Sequence, residues 1–308
     1  MRPDRRRRGL LAVPLALATT RAGAATVDTA AQTTLGPGAE LGFAAMDLAT
    51  GHVTAANPDL RLPMCSSFKW LLAAAVLQRV DGARDRLDRR LAFGPRALVF
   101  NSPACEAALK RAGGERAELS LADLCEAMVT LSDSAAANLL LDTVGGPAGL
   151  TRWLRREGDA VTLLDRYELD LNRVPAGDPR DTTTAAAMLG DLRRFLYGPR
   201  LSPGGRGRLL EWMLAAKPGP ARLPAGAPPS WRTAHKTGTW RTDGPSPDGV
   251  RNASGDVGAL IPPEGAPVLV AAYTAGSRRP QAQVDAWFAD VARLVTTDAL
   301  SLRSPRRG

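Results

Sequence analysis

The chain has 308 residues, of which 44% are hydrophobic and 23% are charged, a composition typical of a globular protein with one large domain or two smaller ones. Its net charge is +9, but residues 1–24 hold six arginines and one aspartate and therefore contribute +5 of that excess. The remaining arginines are scattered among acidic residues, without a basic stripe interleaved with aromatics, which excludes nucleic-acid binding as the main function. The two histidines, His52 and His235, lie far apart in the sequence, so we expect no His-dependent triad, no metal site and no cofactor.

The first 24 residues have the pattern of an export signal. Residues 5–8 form a basic region, residues 10–20 an apolar stretch, and residues 22–24 a small-residue cleavage site. The apolar stretch is too short to span a bilayer, so we expect a periplasmic or secreted mature protein outside the membrane. The arginine run also resembles a twin-arginine export signal. The alternative is a disordered basic tail that the protein retains.

The apolar pattern changes twice along the chain, from strand to helix and back to strand. In chain order it predicts two strands (40–47, 51–56), five helices (66–80, 120–131, 134–143, 147–157, 184–197), three strands (230–238, 255–262, 267–274) and a closing helix (280–298). This order predicts an α/β protein of the α+β type, in which both chain ends form one five-stranded antiparallel sheet flanked by helices. We place the sheet domain at residues 25–62 and 216–308, and an inserted all-helical domain at residues 63–215.

Ser66 and Lys69 stand at the start of the first predicted helix, three residues apart and therefore on one face. A serine hydroxyl is a weak nucleophile until a neighbour accepts its proton, and a lysine partly buried among apolar side chains can serve as that base. The N–H groups at a helix start also favour developing negative charge at Ser66. The ordinary alternative is a helix N-cap followed by a solvated lysine.

Two further segments carry polar groups that suit the same chemistry. Ser132 and Ser134 flank an aspartate in a predicted turn, where a hydroxyl facing Ser66 could pass a proton to a leaving nitrogen. Lys236 and Thr237 lie on a predicted strand, where they could bind a carboxylate together with Arg222, and Gly238 would permit close approach of a ligand. Each motif alone is also explained by a turn, an N-cap or an ordinary strand.

Glu168 and Asn172 are four residues apart, so on one helical turn their side chains would face the same way. A carboxylate and an amide held together can bind and deprotonate one water, which suits hydrolysis of an acyl-enzyme. Arg166 and Asp181 could close the neck of this irregular segment as an ion pair. The alternative is a surface loop with an incidental pair.

Four motifs occur in a fixed order along the chain: Ser-x-x-Lys, Ser-Asp-x, Glu-x-x-x-Asn and Lys-Thr-Gly. In this set of motifs and their order, the chain resembles the class A serine β-lactamases. The resemblance extends from about residue 38 to the end and includes residues 62–69, 135–141 and 177–183. It implies the serine β-lactamase/transpeptidase-like fold. It also implies hydrolysis of the amide bond of penicillins and cephalosporins through a serine acyl-enzyme, which gives antibiotic resistance.

By this resemblance Ser66 is the nucleophile, Ser132 shuttles a proton to the β-lactam nitrogen, and Glu168 with Asn172 activates the deacylating water. The base for acylation is Lys69, or Glu168 acting through water. The substrate carboxylate is expected on Lys236, Thr237, Thr239 and Arg222. The backbone N–H groups of Ser66 and Thr239 would form the oxyanion hole.

The sequence departs from the family pattern at several positions. Ser134 replaces an asparagine that normally binds the acylamino carbonyl of the substrate, so weaker acylation of such substrates is expected. Cys65 lacks the partner cysteine of some relatives, because Trp240 stands there and residues 241–249 form an insertion. Three cysteines allow at most one disulfide.

Two other functions remain open from the sequence. One is a penicillin-binding D-alanyl-D-alanine peptidase, which normally lacks the Glu168/Asn172 water site. The other is a penicilloyl-binding or sensor protein that turns over poorly. We expect a small-molecule β-lactam as the only partner and a monomeric protein.

Overall fold

The computed structural model describes residues 33–242, 244, 246 and 248–303. The predicted export signal at residues 1–24 lies outside these described residues. Within the described part of the chain, no helix has the length and apolar character needed to cross a membrane.

Five antiparallel strands form the main sheet, in the spatial order β2-β1-β9-β8-β7. They are β1 (Glu40–Asp47), β2 (Val53–Ala56), β7 (Arg232–Trp240), β8 (Ala253–Ile261) and β9 (Val268–Ala275). Because β9 pairs with both β1 and β8, it joins the first and last parts of the chain in one sheet. The five strands from both chain ends, with helices between them, confirm the predicted fold class.

The remaining elements lie between or after these strands. The short strands are β3 (Leu62–Pro63), β4 (Arg90–Phe93), β5 (Ala117–Ser120) and β6 (Thr182–Thr183). The helices are α1 (Lys69–Asp81), α2 (Pro103–Arg111), α3 (Leu121–Thr130), α4 (Ser134–Val144), α5 (Gly146–Glu157), α6 (Ala185–Leu192), α7 (Pro203–Leu214), α8 (Leu223–Gly226) and α9 (Gln281–Arg303). The sequence did not predict the β4–β5 hairpin, α2 or α7.

Side chains of alternate residues on the sheet contribute to two separate cores. On β1, Phe43 packs on the α9 side, where Phe288 is fully buried, whereas Ala44 packs on the side of the inserted helices. On β9, Val270 and Ala271 divide in the same way, as the two-residue period of a strand requires. The division of the chain into two domains stays a prediction.

Helix α1 is the centre of the larger core. All nine of its residues from Lys69 to Leu77 are buried, so apolar side chains surround the helix on every face. A 3-10 turn, Cys65–Phe68, precedes it, so the predicted helix over 66–80 is regular only from Lys69 onward. Fully burying one large apolar side chain contributes roughly 1.5–3 kcal/mol, so this helix is a rigid base for Ser66 and Lys69.

Candidate active site

Lys69 is completely buried, and its ammonium faces oxygen atoms from two other segments of the chain. Its Nζ lies 2.7 Å from Glu168 Oε1 and donates to the carbonyl of Ser132 at 2.9 Å and to Ser134 Oγ at 3.2 Å. The hydroxyl of Ser66 donates to the same Glu168 Oε1, at 3.2 Å. The nucleophile predicted from the sequence and both candidate bases therefore meet at one carboxylate oxygen.

Glu168 and Asn172 are in contact, but not because they share a helical turn. Only Asp170–Asn172 forms a 3-10 turn, and Glu168 precedes it, joined to Leu169 by a cis peptide bond. Asn172 Nδ2 donates to Glu168 Oε2 at 2.7 Å. The predicted pair is thus present, while the predicted helical geometry is wrong because the chain turns more sharply here than an α-helix.

Burial alone would raise the pKa of Glu168, since a carboxylate is poorly solvated there. The charge of Lys69 and the hydrogen bonds from Lys69, Asn172 and Ser66 outweigh that penalty and hold the pKa below its ordinary value. Glu168 is therefore a carboxylate at neutral pH and can accept a proton.

Arg166 and Asp181 close the neck of residues 165–181, as predicted. Arg166 Nε lies 2.6 Å from Asp181 Oδ2, and Asp181 Oδ1 accepts from the backbone N–H groups of Asp165 and Arg166. The carboxylate of Asp181 is fully buried. The carboxylate of Asp181, at one end of this segment, therefore holds the other end at Asp165 and Arg166.

The sequence reasoning missed Asn138, which positions Glu168. Its Nδ2 donates to the carbonyl of Glu168 at 3.0 Å, and its Oδ1 accepts from the N–H of Glu168 at 2.9 Å. Asn138 follows Ser134 by four residues on α4, so the helical period places both on one face. That spacing places Asn138 beside Ser134 on the helix but does not show that its side chain contacts Glu168.

The segment Ser132-Asp133-Ser134 is a turn that begins α4. Asp133 caps the helix, because its side chain accepts from the N–H of Ala136 at 2.9 Å. Ser132 has a positive φ of 60°, a tight conformation at the junction. Its hydroxyl accepts from Lys236 Nζ at 3.0 Å, across the cleft.

Strand β7 forms the opposite wall and is an edge strand of the sheet. Lys236 is fully buried, and its Nζ also donates to the carbonyl of Thr237 at 2.9 Å. Burial, followed by the positive charge of Lys69, holds the pKa of Lys236 well below the ordinary lysine value.

A glycine is required at position 238 for a different reason from the predicted approach of a ligand. A Cβ on this residue would lie 2.3 Å from the carbonyl oxygen of Met64, so the close approach is that of the protein's own backbone. The absence of a side chain lets β7 lie against the turn that carries Ser66.

Arg222 lies behind the outer end of β7 and is buried. Its guanidinium donates to the hydroxyl of Thr239 at 2.6 Å and to the carbonyl of Gly238 at 3.0 Å. Asp285 on α9 pairs with its Nε at 2.7 Å. Arg222 therefore holds the exposed Thr239, and Asp285 offsets much of its charge.

The three cysteines are all free and buried. Burial raises the pKa of the Cys65 thiol next to the nucleophile, so Cys65 stays protonated there. A protonated thiol is a poor nucleophile, so Cys65 does not compete with the adjacent Ser66 hydroxyl.

The chain is similar to a known protein family and to solved structures of that family. A family described as the β-lactamase enzyme family matches residues 26–299. An ancestral class A β-lactamase shares 45% identity, with a TM-score of 0.79 over 88% of this chain and 99% of that one.

Two further solved structures are similar to the same degree. The class A β-lactamase of the last common ancestor of Gram-negative bacteria is 45% identical, with a TM-score of 0.81 over 90% of this chain and 99% of that one. PenP from Rhodopseudomonas palustris, assigned to class A, is 42% identical, with a TM-score of 0.80 over 89% and 99%.

Proposed function

This chain belongs to the β-lactamase enzyme family and hydrolyses β-lactams, and from that premise we propose that Ser66 carries the reaction as an acyl-enzyme. The observation that carries the proposal is the Glu168 carboxylate, which accepts from Ser66 Oγ at 3.2 Å and from Asn172 at 2.7 Å. One ionised carboxylate thereby adjoins both the nucleophile and an amide that can hold a water.

In acylation, Ser66 Oγ attacks the β-lactam carbonyl and gives up its proton. Glu168 is the direct acceptor of that hydroxyl in this structure, and Lys69 Nζ lies 2.7 Å from the same oxygen of Glu168. Since Lys69 Nζ faces oxygen acceptors, it is placed as a donor that stabilises the carboxylate and the turn at Ser132. This arrangement supports Glu168 over Lys69 as the acylation base.

The carbonyl oxygen of the substrate becomes an oxyanion in this step. We assign its stabilisation to the backbone N–H groups of Ser66 and Thr239. Because β7 is an edge strand, backbone groups on its outer side are not used by the sheet and can bind a ligand. Gly238 makes this possible by letting β7 approach the turn before α1.

Departure of the lactam nitrogen requires a proton, which we assign to Ser132. Its hydroxyl lies 3.0 Å from Lys236 Nζ and 3.4 Å from Lys69 Nζ, so two ammonium groups orient it. Lys236 and Thr237, with Thr239 held by Arg222, form the site for the carboxylate of the substrate.

Deacylation needs a water activated next to the ester. Asn172 Oδ1 is buried and has no hydrogen-bond partner among the described residues, whereas its Nδ2 is bound to Glu168. A water that donates to both Asn172 Oδ1 and Glu168 would satisfy this atom and lie near Ser66. Glu168 would then remove its proton as it attacks the ester.

Turnover by the purified protein tests this proposal against the two other functions. We expect rapid hydrolysis of a chromogenic cephalosporin, with no persistent adduct in the mass spectrum after a penicillin is added. A stable penicilloyl mass on Ser66 with little turnover would instead support a peptidase or a sensor protein. A Ser66→Ala variant is the control, since it removes the nucleophile and should abolish both signals.

We also propose that the protein is exported to the periplasm or secreted, through residues 1–24, and acts as a monomer on small-molecule β-lactams. Cell fractionation with N-terminal sequencing tests the export, and light scattering tests the oligomeric state. Retention of the N-terminus in the cytoplasmic fraction would contradict the first part.

A further inference from the structure

Asp159 and Asp191 form a buried pair of carboxyl groups outside the catalytic cleft. Asp159 follows α5, Asp191 lies on α6, and they are 5% and 0% exposed. The ionisation of each carboxyl group depends on the other, so the two side chains lie next to each other. A hydrogen bond between two carboxyl groups needs a proton on one of them.

The other contacts of the pair account for its remaining oxygen atoms. Asp159 Oδ1 accepts from the N–H groups of Val161 at 2.7 Å and Thr162 at 3.0 Å, and Asp191 Oδ1 accepts from Arg194. The Oδ2 atom of each aspartate is buried and has no conventional donor. The two Oδ2 atoms are therefore the ones left free to share a proton.

The charges around the pair also indicate that one of the two carboxyl groups carries a proton. Arg194 on the following turn is the cation paired with Asp191, and Arg155 from α5 donates to the carbonyl of Asp159 rather than to its carboxylate. From β9, Tyr273 is the titratable side chain that the charge of Asp191 affects, and burial keeps it protonated. One guanidinium offsets one carboxylate, so the second carboxyl is neutral only if it keeps its proton.

Asp159 also fixes the base of the loop that carries Glu168. Thr162, whose N–H binds Asp159, belongs to this base, and its Oγ1 lies 2.7 Å from Thr183 Oγ1. The next residue, Leu163, donates its N–H to the carbonyl of Thr182 at 3.0 Å. We propose that Asp159 and Asp191 share one proton and act as a buried pH-sensitive latch for the loop at residues 165–181. Loss of that proton places two negative charges together and loosens the base of the loop.

The direction of the pH effect follows from burial, which raises the pKa of Asp191 well above its ordinary value, with the charge of Asp159 acting in the same direction. The folded protein then binds this proton more tightly than the unfolded chain. The contribution of this proton to the free energy of unfolding is therefore fully present below the ordinary aspartate pKa of about 3.9 and is lost as pH rises through the raised pKa of Asp191.

Two single variants test the shared proton, and each keeps the size and shape of the aspartate side chain. In Asp191→Asn the amide would donate to Asp159 in place of the proton, and in Asp159→Asn it would donate to Asp191. We expect the Tm of the wild-type protein to fall as pH rises toward the raised pKa of Asp191, and the Tm of each variant to change less over the same range. A wild-type fall that both variants retain would overturn the proposal.

Infrared spectroscopy supplies a second readout that needs no substrate. The wild-type protein at neutral pH should show the C=O stretch of a protonated carboxyl group, and Asp191→Asn should remove it. The absence of this band from the wild type would also overturn the shared proton. Either result can be obtained even if one of the two variants fails to fold.

The effect on the loop rests on the proposed role of Glu168, whereas the shared proton does not. At alkaline pH the wild type should accumulate acyl-enzyme, and Asp191→Asn should not. If the infrared and Tm results hold but both proteins deacylate equally, the latch is overturned. If no β-lactam is hydrolysed at all, the proposed function fails and the shared proton is still decided by the spectra.

Discussion

Lys69 Nζ lies 2.7 Å from Glu168 Oε1, and the side chains of both residues are almost completely buried. The two charges reach each other from the start of α1 and from the loop at residues 165–181. The contact lowers the pKa of Glu168 against the effect of burial, and so it keeps the base ionised inside the protein. A buried pair of this kind is costly to break, because either partner alone would be an uncompensated charge.

Replacement of Glu168 by glutamine should slow both acylation and deacylation. The amide keeps the contact with Asn172 but cannot accept a proton in either step, so kcat should fall by about 10²–10⁴-fold. Rapid-quench mass spectrometry with a penicillin measures how fast the acyl-enzyme forms and how fast it is lost. Glu118→Gln, at an exposed position on β5, is the matched control and should leave kcat unchanged. Full turnover by Glu168→Gln would exclude Glu168 as the base.

Lys236 should give the reaction an alkaline limb below the pH at which a free lysine titrates. Burial and the charge of Lys69 lower its pKa, so Lys236 loses its charge as pH rises and binds the substrate carboxylate less well. We expect KM to increase on this limb, measured in a pH series with one penicillin. Lys236→Arg keeps its charge and should flatten the rise in KM. An identical rise in the variant would show that another group titrates.

Ser134 should limit acylation by substrates with an acylamino side chain. Its Oγ lies 3.2 Å from Lys69 Nζ, and the family more often has an asparagine here, whose longer amide can reach the substrate carbonyl. Ser134→Asn should raise kcat/KM for such a penicillin by about 5–150-fold, since one hydrogen bond contributes about 1–3 kcal/mol in a buried site. A β-lactam without that side chain is the control substrate. Equal values for wild type and variant would contradict the idea.

Asp181 should be essential for the stability of the loop neck. Asp181→Ala removes three hydrogen bonds and leaves Arg166 without its carboxylate, so the free energy of unfolding should fall by about 3 kcal/mol. Urea unfolding measures this loss, and deacylation should slow in parallel. Asp178→Ala is the control, because its partner Arg180 is largely exposed. A small effect at Asp181 would mean that other contacts fix the neck.

Gly238 should not tolerate a methyl group. In Gly238→Ala the Cβ would lie 2.3 Å from the Met64 carbonyl, so β7 must move away from the turn that carries Ser66. We expect a lower Tm and a large loss of kcat/KM. Gly207→Ala, on α7 with open space around its Cβ, should instead gain about 0.5–1 kcal/mol from helix propensity. If Gly238→Ala retained full activity, the close approach would have no catalytic role.

Much of the fold could be read from local patterns in the chain. The apolar runs of β1, β9 and α1 correspond to elements that the structure contains within a few residues. The sequence analysis did not predict α2 or the β4–β5 hairpin, and the two strands of the hairpin have only four residues each, too few to establish an apolar alternation. Their form depends on contacts with neighbouring segments.

In the candidate site, too, the sequence identified some features and only the structure showed the others. Ser66, Lys69 and Glu168 were identified from residue type and motif order, because the chemistry of a serine acyl transfer needs these groups. Their actual partners were not predictable. Asn138 binds the backbone of Glu168, which no motif shows, and Gly238 is required by Met64.

The sequence by itself determined the class of fold, the family and the residues able to do the chemistry, because residue type and apolar period are local properties of the chain. Only the tertiary structure decided that Ser66 and Lys69 meet at one oxygen of Glu168, and that Asp159 and Asp191 lie together. Such contacts join segments far apart in the chain, and burial there changes both pKa values and hydrogen-bond partners. The state of each ionisable group is therefore a property of the folded protein.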